Sequence, residues 1–308
     1  MLKKVYLNKA NENWILDRLR SEWYLYNKSV STKIVSRSDI IWICSPWTWK
    51  KIPKKYLIEK KVICSIYHID EDKFTEEDLI EFNDRDQYTD FYHVISENSK
   101  RQLSKYTNKK IISIPFWADS EMWFDIQDKN IIKKNLGIST DSFIIGSFQR
   151  DTEGSDLKSP KLSKGPDRFI EIIKEINKQK SILVLLSGNR REYVIKELTK
   201  LNIKFKYFEM ADSKLMNELY NCLDLYIVAS RVEGGPQAII ECALSKTPII
   251  STDVGVAKEI LAPESIFNMQ NFMNAAANIE IAYKNASEYV IPNGFKNYLQ
   301  MLGANSEN

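Results

Sequence analysis

Short apolar runs of strand character alternate with helical stretches along this chain of 308 residues. In the first 115 residues, five runs rich in β-branched and aromatic residues are separated by stretches whose apolar residues recur at helical spacing. This alternation is typical of α/β domains, in which helices connect the strands of a parallel sheet. The predicted strands are 3–8, 39–45, 61–67, 91–96 and 110–115, and the predicted helices are about 11–26, 53–60, 75–83 and 97–106.

The alternation continues in the second half of the chain. Residues 142–148 and 181–187 have the composition of buried strands, and so do Leu225–Ser230 and Thr247–Thr252. Residues 166–176 carry apolar side chains at helical spacing. Because a chain of this length exceeds the size at which a single core usually stops growing, we predict two doubly wound α/β domains.

A Glu-Gly-Gly-Pro sequence joins one of these strands to the helix after it. Gly234 and Gly235 allow a ligand close to the backbone, and Pro236 suits the first helical position. The amides at such a helix start can face a phosphate. Because a carboxylate would repel the phosphate, we expect Glu233 to bind the transferred sugar and Glu241 the ribose. A plain strand-to-helix turn, with Glu241 on a solvated face, is the alternative.

With its surroundings, this sequence resembles the GT-B glycosyltransferases, and in particular the retaining enzymes of glycosyltransferase family 4, the glycosyl transferases of group 1. Their signature is two glutamates separated by seven residues, which Glu233 and Glu241 match. Residues 248–259 resemble the strand, glycine turn and helix start that follow this signature, and residues 219–230 resemble the segment before it. The resemblance covers roughly residues 142–262.

The resemblance implies an α/β fold of GT-B architecture, with two Rossmann-like domains facing across a cleft. The implied domains are 1–125, which binds the acceptor, and 126–281, which binds the donor; residues 282–308 would form a C-terminal helix that crosses back to the N-terminal domain, and a tail. It also implies a retaining transfer of a hexose from a nucleoside-diphosphate sugar to a hydroxyl of a glycan or lipid-linked acceptor. A UDP-sugar is favoured as donor, with GDP- and ADP-sugars as alternatives, and neither a metal nor another cofactor is expected.

Arg150 and Lys164 resemble the cations with which these enzymes neutralise the donor diphosphate. Since each lies at the end of a strand or the start of a helix, both are expected at the carboxyl edge of the second sheet, where such folds bind ligands. A non-catalytic glycosyltransferase-like partner, or a glycan-binding subunit, is the alternative function. The presence of both cations and both glutamates favours the enzyme.

Other candidate residues follow from the same resemblance. Gly188 and Asn189 correspond to a second glycine turn beside the nucleotide, and Met210 lies where the base is held. Of the two histidines, His68 follows a strand of the first domain and matches a catalytic-site position. His93 lies inside a strand, which favours a structural role.

The acceptor is expected on the first domain. Five of the seven tryptophans fall in the first 49 residues. Trp14 and Trp42 are expected in the core, whereas Trp47 and Trp49, which follow a strand, are candidates for acceptor contacts. The loop after the first strand lacks the glycines that many members of the family have, and Asn11 could substitute for them with its side chain.

Residues 151–163 form a longer connection than the family usually has. The segment could be a lid over the donor or an exposed insertion without a catalytic role, and loop length leaves both readings open.

The charge distribution and the cysteine content bear on where in the cell the protein is located. Residues 1–60 carry 13 Lys or Arg against 5 Asp or Glu, and residues 68–90 carry 2 against 10. The basic region could contact an anionic membrane surface, but a solvated face balanced by the acidic segment is the favoured interpretation. Four scattered cysteines and no signal-type apolar segment predict a cytoplasmic protein, with peripheral contact at the inner face of the membrane as a hypothesis. No nucleic-acid partner is expected, and the oligomeric state stays open.

Overall fold

The computed structural model describes residues 2–11, 15–139, 141–155 and 157–304. The chain divides into two compact units. Unit 1 comprises Met1–Trp117 and Ile291–Asn308, and unit 2 comprises Ala118–Val290.

Unit 1 is built on a parallel sheet of five strands, whose order in the sheet is the order in the chain. The middle strands are buried on both faces, which explains why they are almost continuously apolar. Each predicted strand of this half is present. The elements are β1 (Val5–Leu7), α1 (Ile15–Tyr26), β2 (Ile40–Ile43), α2 (Lys54–Glu59), β3 (Lys61–Ile66), α3 (Glu76–Asp86), β4 (Phe91–Val94), α4 (Glu97–Leu103) and β5 (Ile111–Ser113).

Unit 2 contains a parallel sheet of six strands and a small antiparallel hairpin. Its first elements are α5 (Lys129–Asn135), β6 (Phe143–Ser147), the hairpin strands β7 (Thr152–Glu153) and β8 (Ser159–Pro160), α6 (Pro166–Gln179), β9 (Ile182–Ser187), α7 (Glu192–Lys200) and β10 (Phe205–Phe208). They are followed by α8 (Ser213–Asn221), β11 (Leu225–Val228), α9 (Gln237–Leu244), β12 (Ile249–Thr252), α10 (Ala257–Ile260), β13 (Ile266–Phe267) and α11 (Ile279–Ser287).

The strand order of the large sheet in unit 2 is β10-β9-β6-β11-β12-β13. The first strand, β6, therefore lies inside the sheet, with β9 on one side and β11 on the other. After β6 the chain adds β9 and β10 on one side, and it then crosses over to add β11, β12 and β13 on the other side, so the switch point lies between β6 and β11. In doubly wound folds the connections diverge at such a point and leave a crevice at the carboxyl ends of the strands.

The C-terminal segment differs from the single helix predicted from residue 282. The structure has two helices, because α11 ends at Ser287 and α12 (Lys296–Leu302) follows after Pro292, which has no N–H to continue a helix. Helix α11 contributes Ala282 and Ala286 to the core of unit 2. Helix α12 belongs to unit 1, where Tyr298 donates hydrogen bonds to the carbonyls of Ile114 and Pro115.

The boundary between the units also lies earlier than the predicted residue 125. Trp123 is buried in the core of unit 2, and its ring lies 5.8 Å from that of Tyr220. The amides of Phe124 and Ile126 donate to the side chains of Asn217 and Asn221 in α8. These contacts place the segment after Trp117 in unit 2.

A buried polar chain crosses the sheet of unit 1. The Trp42 indole donates to Ser65 Oγ at 2.8 Å, and Ser65 lies 2.8 Å from His93 Nδ1. His93 Nε2 lies 2.9 Å from the Ile114 carbonyl. A neutral imidazole with its proton on Nε2 satisfies both contacts: Nε2 donates to the carbonyl, and Nδ1 accepts from the Ser65 hydroxyl. An imidazolium carries a proton on Nδ1 as well, so it could not accept that hydrogen bond. The arrangement matches the structural role predicted for His93.

We expect His93 to make stability depend on pH. Burial lowers the pKa of His93 from 6.5 to about 4, so the unfolded chain binds a proton more readily than the folded chain between these values. The contribution of the neutral His93 to the free energy of unfolding is therefore fully present above pH 6.5. It is lost as the pH decreases towards 4, by about 3 kcal/mol in total. Urea unfolding at several pH values measures this slope. In His93→Gln the slope should decrease, and in the matched variant His68→Gln it should persist; equal slopes in the two variants would refute the role of His93.

Candidate functional site

The residues predicted to bind the donor diphosphate and the transferred sugar lie at the carboxyl ends of β6 and β11. Arg150 follows β6, Lys164 precedes α6, and Glu233 follows β11. Lys164 Nζ lies 2.5 Å from Glu233 Oε1, in an ion pair whose side chains are 22% and 9% exposed. The structure thus brings together a lysine and a glutamate that are 69 residues apart in the chain.

Two residues that the sequence did not single out hold this pair. Ser230 Oγ donates to Glu233 Oε1 at 3.1 Å. Gln149 Nε2 donates to the Lys164 carbonyl at 2.9 Å. Each lies two residues beyond the carboxyl end of a strand of the sheet, and this position is the signal that could have identified them.

The backbone beside Lys164 lies directly against the end of β11. Gly165 has a φ of +63°, which residues with a side chain rarely adopt, and a Cβ on it would lie 1.9 Å from the Ala229 carbonyl oxygen. Neither atom can move without displacing a strand or a helix start. The glycine is therefore required if Lys164 is to reach Glu233.

The loop that carries Glu233 is supported in the same way from the other side. Gly255, in the turn after β12, has a φ of +53°, and a Cβ there would lie 2.8 Å from Gly235 Cα and 2.7 Å from Pro236 Cδ. Pro236 itself is not the first helical residue as predicted. Its ψ of 112° is extended, so it caps α9, which begins at Gln237.

Glu241 lies in α9 with only 7% of its surface exposed. Its Oε2 accepts a hydrogen bond of 2.8 Å from the hydroxyl of Tyr220. Burial and the Glu241 carboxylate raise the pKa of Tyr220 well above its usual range, so the phenol stays protonated and donates the hydrogen bond to Glu241. Glu241 is therefore not on a solvated helix face, and Tyr220 fixes the direction in which its carboxylate points.

The segment 151–163 is anchored at its start. Asp151 is 2% exposed, and its Oδ2 accepts from Arg191 Nε at 2.9 Å. The other oxygen of Asp151 accepts from the amide of Tyr193 at the start of α7. Residues 152–153 and 159–160 pair as the hairpin β7–β8. The segment is therefore neither wholly exposed nor loosely attached at its start, while its tip, including Gly154 and Lys158, is exposed.

Arg191 joins this anchor to the sheet. Its Nη1 donates to the carbonyls of Ser147 and Ser187, the last residues of β6 and β9, at 2.5 and 3.1 Å. The side chain is 1% exposed, and it pairs with Asp151 across 40 positions of the chain. No local sequence pattern indicated this pair.

The predicted nucleotide residues lie at the ends of β9 and β10. Gly188 has a φ of 88°, and its carbonyl accepts from the Tyr207 hydroxyl at 2.7 Å. Asn189 is exposed in the same turn. Met210, in the turn after β10, is 67% exposed and therefore is not a core residue. All of them share the carboxyl edge of unit 2 with Arg150.

An open pocket of about 440 Å³ lies at the ends of β11, β12 and β13. Ser230 lines it, as does Arg231, whose guanidinium forms a bidentate pair with Asp167 at 2.7 and 2.6 Å. Its volume is in the range of small-molecule sites.

The other candidates belong to unit 1. His68 is exposed just after β3, and Trp47 is 53% exposed. Trp49 is a correction: it is 1% exposed, and its indole donates to Glu81, so in this conformation it offers no face to an acceptor. Trp42 is buried as expected, and Trp14 lies outside the described residues.

The loop after β1 is stabilised by a buried asparagine rather than by glycine. Asn8 is 2% exposed and bonds through its side chain to Ser45 and Thr48. Asn11, the residue proposed to replace the glycines, is exposed and has a φ of 60°. Asparagine adopts this left-handed conformation more readily than most residues, which explains how the loop turns without glycine.

Two wider properties concern only the described part of the chain. Within it, no group of three or more His, Cys, Asp or Glu side chains is arranged to hold a metal ion. None of its helices is both long and apolar enough to cross a membrane.

Comparison with known proteins agrees with this architecture. Residues 157–296 match the model of the family described as glycosyl transferases group 1. The chain is 26% identical over 165 residues to the alpha-galactosylglucosyldiacylglycerol synthase of Streptococcus pneumoniae (strain ATCC BAA-255 / R6). That alignment includes 50% of this chain and 40% of the relative, so the matched region spans less than half of the relative's length.

Solved structures show the same fold. Anabaena Alr3699/HepE in complex with UDP and glucose has a TM-score of 0.75 at 13% identity, and the match covers 99% of this chain and 100% of that one. The lipopolysaccharide outer core galactosyltransferase WaaB in its apo form has a TM-score of 0.66 at 11% identity, covering 96% and 97%. The predicted α/β fold of GT-B type, and the resemblance to group 1 glycosyl transferases, are thereby confirmed.

Proposed function

Because residues 157–296 match the glycosyl transferases of group 1, we propose that this protein transfers a glycosyl group from a nucleoside-diphosphate sugar to a hydroxyl acceptor. The observation that carries this proposal is the cluster of Arg150, Lys164 and Glu233 at the switch point of unit 2. The cluster combines cations suited to a diphosphate with a carboxylate suited to sugar hydroxyls.

The chemistry assigns a separate task to each member of the cluster. As the bond between the anomeric carbon and the phosphate oxygen breaks, its electron pair passes to the diphosphate. Arg150 and Lys164 stabilise the charge that grows there, and such fixed groups are usually the largest contribution to catalysis. Glu233 accepts hydrogen bonds from the transferred sugar, and Glu241, oriented by Tyr220, binds the ribose.

The stereochemical course is proposed to be retention. The acceptor oxygen attacks the anomeric carbon from the face that the diphosphate leaves, and its proton passes to a phosphate oxygen of the leaving group. A trapped glycosyl adduct on Glu233 would contradict this route, because it would show a covalent intermediate.

A UDP-hexose is the proposed donor. HepE was solved with UDP and glucose, and its likeness to this chain supports UDP as the first nucleotide to test. The acceptor is proposed to be a hydroxyl of a glycan or of a glycolipid. The name of the streptococcal relative, a diacylglycerol glycolipid synthase, supports the second of these.

Calorimetric titration with UDP, GDP and ADP tests the proposal. One nucleotide should bind, and both Arg150→Gln and Glu241→Gln should weaken it about tenfold, since each removes a charged contact. Lys174→Gln, on the exposed face of α6, serves as the control and should bind like the wild type. If the folded wild type binds none of the three nucleotides, the proposal fails and a non-catalytic partner becomes the better interpretation.

A further inference from the structure

We propose that Lys161, at the end of the β7–β8 hairpin, joins Arg150 and Lys164 in binding the diphosphate of the nucleotide. This inference rests on the proposed function and adds a residue to its site. The sequence alone left residues 151–163, which include Lys161, as either a lid over the donor or an exposed insertion.

The backbone around Lys161 is held on both sides. Its amide donates to the Asp151 carbonyl at 2.8 Å, and its carbonyl accepts from the Lys164 amide at 2.8 Å. Asp151 is itself held by its ion pair with Arg191. A single short turn thus connects Lys161 to Lys164, and this end of the hairpin is hydrogen-bonded to a residue that a buried ion pair holds in place.

The charges around Lys161 are mostly of its own sign. Burial, followed by the positive charges of Arg150 and Lys164, lowers the pKa of Lys161 to about 8, and Glu153 and Glu233 oppose this effect. Among the described residues, no carboxylate lies within 4 Å of the Lys161 ammonium, and Glu233 pairs instead with Lys164. Without an anion, this half-buried group is therefore repelled by its neighbours.

Arg150 shows a related deficiency. Its Nε is buried and has no hydrogen-bond partner. A buried donor without an acceptor is costly, and so is a cation whose neighbours are cations. A ligand with several negative charges would remove both costs at once, and a diphosphate has oxygen acceptors enough for three cations.

If Lys161 contacts the phosphates, its replacement should change the affinity for some nucleotides more than for others. Lys161 should contribute to the binding of UDP, which has a β-phosphate, more than to that of UMP. A general effect of the hairpin on folding or on the base would change both to a similar extent.

Calorimetric titration of the full chain at pH 7 with UDP and with UMP tests this. Lys161→Gln should weaken UDP binding about tenfold and UMP binding less than twofold, the loss expected for one charge-assisted contact. Lys158→Gln removes the same charge from the exposed part of the same hairpin and should leave both affinities unchanged.

A second measurement reports on the lysine itself. At pH 8 about half of the Lys161 side chains are protonated before UDP binds, and a bound diphosphate favours the protonated form. Binding should therefore take up about half a proton, seen as a dependence of the binding enthalpy on the ionisation enthalpy of the buffer. This uptake should disappear in Lys161→Gln and remain in Lys158→Gln.

The outcomes separate the two proposals. If the wild type binds UDP, and Lys161→Gln binds it equally well with the same proton uptake, the role of Lys161 is refuted while the proposed function stands. Equal weakening of UDP and UMP would also refute it, since that pattern indicates a loss of structure. If the wild type binds none of UDP, GDP and ADP, both proposals fail.

Discussion

On the proposed function, with UDP-glucose as the donor, we expect Lys164→Ala to slow the formation of UDP by about 100- to 1000-fold, the usual effect of removing one group that stabilises charge in the transition state. Lys164 lies 2.5 Å from Glu233 in a partly buried pair at the carboxyl edge of unit 2. In the proposed mechanism its loss removes positive charge from the leaving diphosphate, and it also leaves the Glu233 carboxylate without its partner. The rate is measured as UDP formed per enzyme under saturating donor, with and without candidate acceptors.

Two further variants divide this effect. Lys174→Ala removes an exposed lysine of α6 and should keep the wild-type rate. Lys164→Ala combined with Glu233→Gln removes the uncompensated carboxylate, so any recovery relative to Lys164→Ala measures the cost of that charge. A Lys164→Ala rate within about threefold of the wild type would be incompatible with the role assigned to the lysine.

We expect Arg191→Met to lower the free energy of unfolding by about 3–5 kcal/mol, the usual cost of breaking a buried ion pair by removing one partner. The guanidinium is 1% exposed and binds both Asp151 and the last carbonyls of β6 and β9. Burial raises the pKa of Asp151, and Arg191 opposes that rise, so without the arginine a buried carboxylate loses the group that keeps it ionised. Urea unfolding followed by circular dichroism measures the change.

The matched control is Arg101→Met, which removes an exposed arginine and should change stability by less than about 0.5 kcal/mol. The double variant Arg191→Met with Asp151→Asn should lose less stability than the sum of the two single variants, because each single variant leaves one buried charge without its partner and the double variant leaves none. Additive losses would show that the two side chains do not stabilise the fold as a pair. Because Asp151 holds the turn of Lys161, both single variants should also bind UDP less tightly.

Local pattern was sufficient to find most of the strands and the residues that follow them. The five strands of unit 1 were found because each is a short apolar run bounded by polar residues. Arg150 and Lys164 could be assigned in advance to one edge of the second sheet, since such folds bind ligands at the carboxyl ends of their parallel strands. The start of α9 was predicted to within one residue: the ring of Pro236 suits both the cap and the first turn, and only its ψ of 112° assigns it to the cap.

Failures occurred where burial or distant contacts decided the outcome. Trp47 and Trp49 are two residues apart in one loop, and yet one is 53% exposed and the other 1% exposed, because only Trp49 points into the core next to Glu81. The sequence predicts one C-terminal helix that continues through Pro292, because the apolar pattern continues on both sides of this residue. The packing of α11 in unit 2 and of α12 in unit 1 requires the break.

The sequence by itself determined the alternation of strands and helices, the positions of the glycines at Gly165 and Gly234–Gly235, and the cations and carboxylates at strand ends. These are properties of residues close together in the chain, and periodicity and turn chemistry encode them. Only the tertiary structure decided the strand order around β6, the pairing of Lys164 with Glu233, and the burial of Arg191 against Asp151. The partners in these pairs are 69 and 40 residues apart, and which of many charged groups meet depends on how the sheet is assembled.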